Sequence, residues 1–229
     1  DTISAQEVVN RCDEGVQASC DAITTDPTRS TPTVPYLLIR TQPFNYVRRL
    51  VRGIDFDAAY RLPVGESSSI TLKGTATRYI ENLAETGIAG TTPVNTVGAN
   101  GGQASTPKWI FRANANYSTP TFSGTVTGRG VSSGKYLANA IECTSGCPTS
   151  TSQNPTYDNN RVKGTFYVDL NLTQKIKVGN ASEAEFFFNV TNLFDANPLL
   201  LPETGLAANS TFSDLLGRTY RVGVRFKLD

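Results

Sequence analysis

From residue 36 onward the chain is a succession of period-two stretches, about eight in number. Their connections run short, long, short, long, short, long. The stretches are 36–45 (interrupted by Pro43), 47–62, 69–82, 107–118, 121–131, 165–177, 183–191 and 219–229. The last, TYRVGVRFKLD, shows the pattern at its sharpest. Tyr220, Val222, Val224, Phe226 and Leu228 point one way, and Thr219, Arg221, Gly223, Arg225 and Lys227 the other. A period of two is the signature of a β-strand with one apolar and one polar face. The tight connections fall at 63–67, 119–120 and 178–182, the long ones at 83–106, 132–162 and 192–217.

A soluble sandwich has no reason to alternate its loop lengths so regularly. Bacterial outer-membrane barrels do so as a rule, with short periplasmic turns and long extracellular loops. Strand length fits as well, since a tilted transmembrane β-strand needs about 9–11 residues. In stretch 107–118 the apolar row runs Trp109, Phe111, Ala113, Ala115, Tyr117, with aromatics at both ends and small residues between. Aromatic girdles flank a lipid band in this way. The expected fold is therefore all-β, an antiparallel transmembrane β-barrel. Residues 1–35 are expected to form an extracellular loop with one short helix near 5–11, and residues 36–229 the strands and their loops.

Composition closes off several other classes. The chain has 229 residues, a formal net charge of +1, and neither His nor Met. No apolar run approaches the roughly 18–20 residues of a membrane helix, so a helical span is excluded. The near-neutral charge gives no electrostatic case for nucleic acid. A His-based triad or a His-ligated metal is impossible, and no cofactor is expected. The absence of Met makes Asp1 read as the first residue of a processed product or of a fragment. Cys12 with Cys20, and Cys143 with Cys147, form two close pairs in polar, turn-rich stretches. Their even number points to two local disulfides and an oxidising compartment, with free thiols as the alternative.

Five local stretches, in order, resemble the C-terminal part of the β-barrel of TonB-dependent outer-membrane receptors. Residues 189–198, NVTNLFDANP, resemble that family's penultimate strand and the loop after it; residues 217–226, GRTYRVGVRF, resemble its closing strand. Residues 51–61, VRGIDFDAAYR, are similar to a strand some eight from the family's end. Pro107-Lys108-Trp109 and Tyr167-Val168-Asp169-Leu170 fall between them in the family's order. The opening from Cys12 to Cys20 looks like an external loop of receptors of the sphingomonad-like branch. The resemblance covers nearly the whole chain. It departs from the family at Lys227-Leu228-Asp229, where members end on an aromatic residue. It also lacks the plug domain, the TonB-binding box and roughly fourteen of the 22 strands of such transporters.

The resemblance implies a bacterial outer-membrane location, no enzymatic activity, and energy-dependent uptake of a scarce nutrient such as a siderophore, vitamin or saccharide. It implies outer-membrane lipid as a partner, and a plug and remaining barrel wall on another chain or segment, through which TonB would act. Two other readings stand beside it. One is a self-closed small barrel or receptor remnant with a scaffold role; the other is a soluble all-β adhesin or lectin. On the wet side of the wall, Asp55, Asp57, Arg61, Lys108, Arg112, Arg129, Asp169, Arg221 and Arg225 are the lumen-facing candidates. A catalytic pairing of Asp55 and Asp57 is weaker than a solvated wall, because a polar lumen needs no chemistry. Lys108, Arg112, Arg129, Lys175, Arg221 and Arg225 are expected to pair with Asp55, Asp57, Asp169 and Glu185. The sequons at Asn116, Asn171, Asn180, Asn189 and Asn209 are expected to be chance matches, three of them in strands. Residues 98–102, GANGG, read as a flexible loop tip and not a phosphate loop.

Overall fold

Alternation over ten or more residues leaves the backbone little choice but an extended pleat. The computed structural model describes all residues except 1–4, 32–33, 42–47, 86–92, 102–105, 152–153, 179–181, 202–206, 209–210 and 229. Its centre is one sheet of seven strands: β1 Arg48–Val64, β2 Ser68–Glu85, β3 Trp109–Ser118, β4 Phe122–Val131, β5 Thr165–Val178, β6 Ser182–Thr191 and β7 Thr219–Leu228. Each strand pairs antiparallel with its neighbours in sequence, so the sheet is an unbroken meander with β1 and β7 at its edges.

The tight turns carry the chemistry that closes them. Gly65, between β1 and β2, has φ of 73°, a conformation that costs glycine nothing. Between β3 and β4 the Phe122 amide donates to the Thr119 hydroxyl at 2.9 Å. One irregularity interrupts the ladder, a register shift at Arg52/Gly53. A Cβ on Gly53 would stand 2.9 Å from the carbonyl oxygen of Arg78, so the strands can approach there only with glycine.

Register decides the faces, because residues opposite one another share a side. One side carries Phe56, Trp109, Phe111, Phe166, Phe188 and Tyr220, with cross-strand stacking of Phe56 on Trp109 at 5.9 Å and Phe188 on Tyr220 at 6.3 Å. The other carries the Thr, Asn and charged rows. No second layer covers the apolar side among the described residues, and Tyr60, Phe226 and Val222 remain 63%, 68% and 79% exposed. An apolar face of that size is not left to water in a soluble domain, where it would drive aggregation. A bilayer satisfies it.

The expected first strand at 36–45 does not join this sheet. Leu37–Ile39 pairs with Ile23–Thr25 in a separate two-stranded ribbon, and residues 42–47 lie outside the described residues. Among the described residues the sheet therefore has seven strands, where the sequence suggests about eight. Proline lacks the amide that a ladder needs, so Pro43 already limits that stretch. Upstream of the ribbon, α1 (Ala5–Asp13) and α2 (Gln17–Cys20) form a helical hairpin tied by a disulfide between Cys12 and Cys20. A second disulfide joins Cys143 to Cys147.

The long loops are knitted to each other. Residues 98–101 are not a free tip: Ala99 is 8% exposed and Asn100 1%. The Asn100 amide donates to the Lys135 carbonyl at 2.7 Å, and its side chain donates to the Ser132 carbonyl at 2.7 Å. Glycine allows this burial, since a Cβ at Gly101 or Gly134 would overlap the neighbouring loop backbone. Flexible composition here serves close packing.

Candidate functional site: the polar face of the sheet

Seven strands of alternating sequence place most of the charged side chains of the sheet on one side. A continuous row crosses five strands: Asp57 opposite Thr75, Thr75 opposite Arg112, Arg112 opposite Arg129, Arg129 opposite Tyr167. Asp55 and Arg61 lie on the same side of β1, Asp169 on that of β5, and Arg221 and Arg225 on that of β7. Lys108 stands one residue before β3, with its alkyl stem beside Gly98. The sequence thus assembles eight of its nine candidates on one surface directly.

Two cations opposite each other, such as Arg112 and Arg129, would repel. The structure turns Arg129 away to two carboxylates. Its guanidinium donates to Asp169 at 2.8 Å and to Asp214 at 3.1 Å. It also lies over the Tyr167 ring at 5.0 Å. Asp169 in turn accepts the amide of Asn192 at 3.0 Å. Asn192 is fully buried, and its side chain exchanges two bonds of 2.9 Å with the backbone of Ala196. These contacts fasten the third long loop to the wall, together with a 2.9 Å bond from the Thr165 hydroxyl to the Phe212 carbonyl. Asp214 was invisible as a partner in the sequence, because it sits in a loop 85 residues from Arg129.

Nearer the other end of the face, Arg225 donates to Glu185 at 2.8 Å. Arg221 and Arg225 both approach the Phe187 ring, at 5.9 and 5.1 Å. Asp55 takes the hydroxyl of Thr77 at 2.6 Å where a cation was expected. No cluster of three or more metal-ligating side chains exists among the described residues. The face is a wall of mixed charge, joined to a loop at the Arg129 junction. Of the sequons, Asn116, Asn171 and Asn189 lie inside strands, while Asn180 and Asn209 fall outside the described residues.

A single antiparallel meander, apolar on one face and polar on the other, with alternating short and long connections, has the pattern of a membrane β-barrel wall. A model of the family "TonB dependent receptor-like, beta-barrel" matches residues 21–193. The chain belongs to the β-barrel of the TonB-dependent receptors, and its place is the bacterial outer membrane. Among curated proteins none matches it. The matched span takes in β1 to β6; β7 is joined to them by a ladder of ten opposed pairs from Ser182↔Leu228 to Thr191↔Thr219.

Proposed function

We propose that this chain forms the C-terminal part of the wall of an energy-dependent uptake receptor for a scarce nutrient, of the siderophore, vitamin or saccharide class. The remaining wall and the plug lie outside these residues, and TonB acts through the plug. Asp55, Asp57, Arg61, Lys108, Arg112, Arg129, Asp169, Arg221 and Arg225 then line a wide, hydrated lumen, and the two disulfides lie on the external side.

The observation that carries this reading is the sheet order, with β1 and β7 as opposite edges. An unpaired backbone group in lipid costs several kcal/mol, so both edges need partners. They can pair with each other or with strands from elsewhere. A barrel of about eight strands has an interior just wide enough for side chains. Here the inner face must hold long cations on six strands and the loop carrying Asp214 as well. A wide lumen accommodates these without a fully paired network.

Cysteine pairs placed along the outward rows of the two edges test this, for example Phe56→Cys with Val224→Cys. No efficient cross-link within one chain is expected in the membrane. An efficient one would show a self-closed small barrel and favour the scaffold role.

A further inference from the structure

On β2 the lipid-side row reads Ile70, Leu72, Gly74, Ala76, and then Arg78. Arg78 stands opposite Trp109 on one side and Ile54 on the other, and its guanidinium lies over the Trp109 ring at 5.5 Å. It is exposed, and no carboxylate pairs with it among the described residues. An arginine on the lipid face costs about 2–4 kcal/mol at mid-bilayer and about 0–1 near the interface. Arg78 must therefore sit at the headgroup level, which agrees with its place at the long-loop end of β2 and beside the indole of the girdle.

The cations of the outward face are distributed unevenly. Arg78 on Trp109, Arg48 and Arg52 with their carboxylate partners Glu85 and Glu81, and Arg218 over Tyr220 at 5.8 Å all stand toward the long-loop rim. At the short-turn rim the outward rows end on Leu62, Val64, Tyr117, Phe122, Ile176 and Val178, without a cation. Arg218 is engaged by its own loop, donating to the Leu193 carbonyl. Arg78 has its guanidinium available.

Directly below Arg78 the wall is hollow. Ala58, Gly74, Ala113 and Ala115 floor an apolar trough, with Tyr60 and Phe166 on its rim. A second depression, which includes Ala76, adjoins it through Ala58, Gly74 and Ala113 and extends it toward Arg78. Gly74 has open space where a Cβ would be. Four residues of strand separate Arg78 from Gly74, about 13 Å along the chain. At a tilt of roughly 40° that places the trough about 10 Å below the headgroups, at the depth of acyl chains.

We propose that Arg78 and this trough form a binding site for one phosphorylated lipid of the leaflet on the long-loop side. The guanidinium takes the phosphate by charge-assisted hydrogen bonds, Trp109 holds the guanidinium flat, and an acyl chain fills the trough. The leaflet assignment rests on the wall reading given above.

Trp109 is the single tryptophan of the chain and reports on the site. The receptor is reconstituted in zwitterionic vesicles, with any tryptophan outside these residues replaced by Phe. A small fraction of lipid with brominated chains is added, as phosphatidate in one series and as phosphatidylcholine in the other. Brominated phosphatidate is expected to quench Trp109 as if enriched about fivefold over its bulk fraction, the factor implied by roughly 1 kcal/mol per cation. Arg78→Gln should bring the two series together, Arg78→Lys should keep most of the preference, and Gly74→Leu should weaken quenching by the anionic lipid. Equal quenching by the two lipids in the unsubstituted protein overturns the site and leaves the wall intact. Absence of quenching by either lipid overturns both, because Trp109 would then not face lipid.

Discussion

At the scale of single residues, the polar face is shaped by glycine as much as by charge. Gly223 on β7 lies opposite Phe187 on β6. The Phe187 ring folds over that glycine, where any Cβ would overlap it. Arg221 and Arg225 then flank the ring from both sides along β7. A weak spot in the ladder is thereby covered, and an aromatic residue on a wet face acquires cation partners. Gly223→Val should cost about 1–3 kcal/mol by forcing the ring out of its well. Adding Phe187→Ala to that variant should remove much of the penalty, since the two sites touch and their effects cannot add. Urea titration of the four proteins in vesicles gives the coupling. Simple additivity would show that the ring does not lie over Gly223.

At the scale of the strand, the two faces should respond differently to charge. Val222 lies on the lipid side of β7, and Val222→Arg should cost about 2–4 kcal/mol near mid-bilayer. Asn171→Arg places the same side chain on the polar side of β5, opposite Asn189 and Thr125, and should fall within about 0.5 kcal/mol of the parent. Folding into lipid vesicles measures both, and equal penalties would contradict the assignment of faces. This contrast was legible from alternation alone, because a period of two fixes the side of every residue once one is fixed. The strand limits were legible to within a few residues for the same reason. The stretch at 36–45 was misread because Leu37–Ile39 is a short β-rich piece whose partner, Ile23–Thr25, lies in a Thr-rich segment without alternation. Within 98–102, of which Gly102 lies outside the described residues, residues 98–101 pack closely against the neighbouring loop around Lys135, which small residues alone do not distinguish from mobility. The pairing of Arg129 with Asp214 lay beyond any local pattern, being set by where a long loop returns.

At the scale of the molecule, the first two long loops are knitted to each other, with the buried asparagines Asn100 and Asn160 at their junction. Asn160 is 1% exposed, and its side chain both donates to the Leu137 carbonyl at 2.9 Å and accepts the Leu137 amide at 3.0 Å. Its carbonyl accepts the Tyr136 amide at 2.9 Å. The adjoining pair, Arg161 and Val162, bonds to Lys135 and Gly134, which in turn meets the segment at Gly98 and Asn100. One asparagine thus braces the second loop against itself and, through it, the first. Asn160→Ala leaves both backbone groups of Leu137 without their partners, a loss of about 1–3 kcal/mol where water cannot replace them. The sheet below is held by its own ladder bonds, and the hydrogen bonds of Asn160 go to Leu137, Tyr136 and Glu142, outside the sheet. The substitution should therefore raise hydrogen exchange at Lys135, Leu137 and Ala99 by about ten- to a hundredfold, as that energy implies. Amides of β3 to β6 should keep their protection. Exchange mass spectrometry on the membrane-inserted protein separates the two sets, and a matching rise in the strands would show that loops and wall open as one unit.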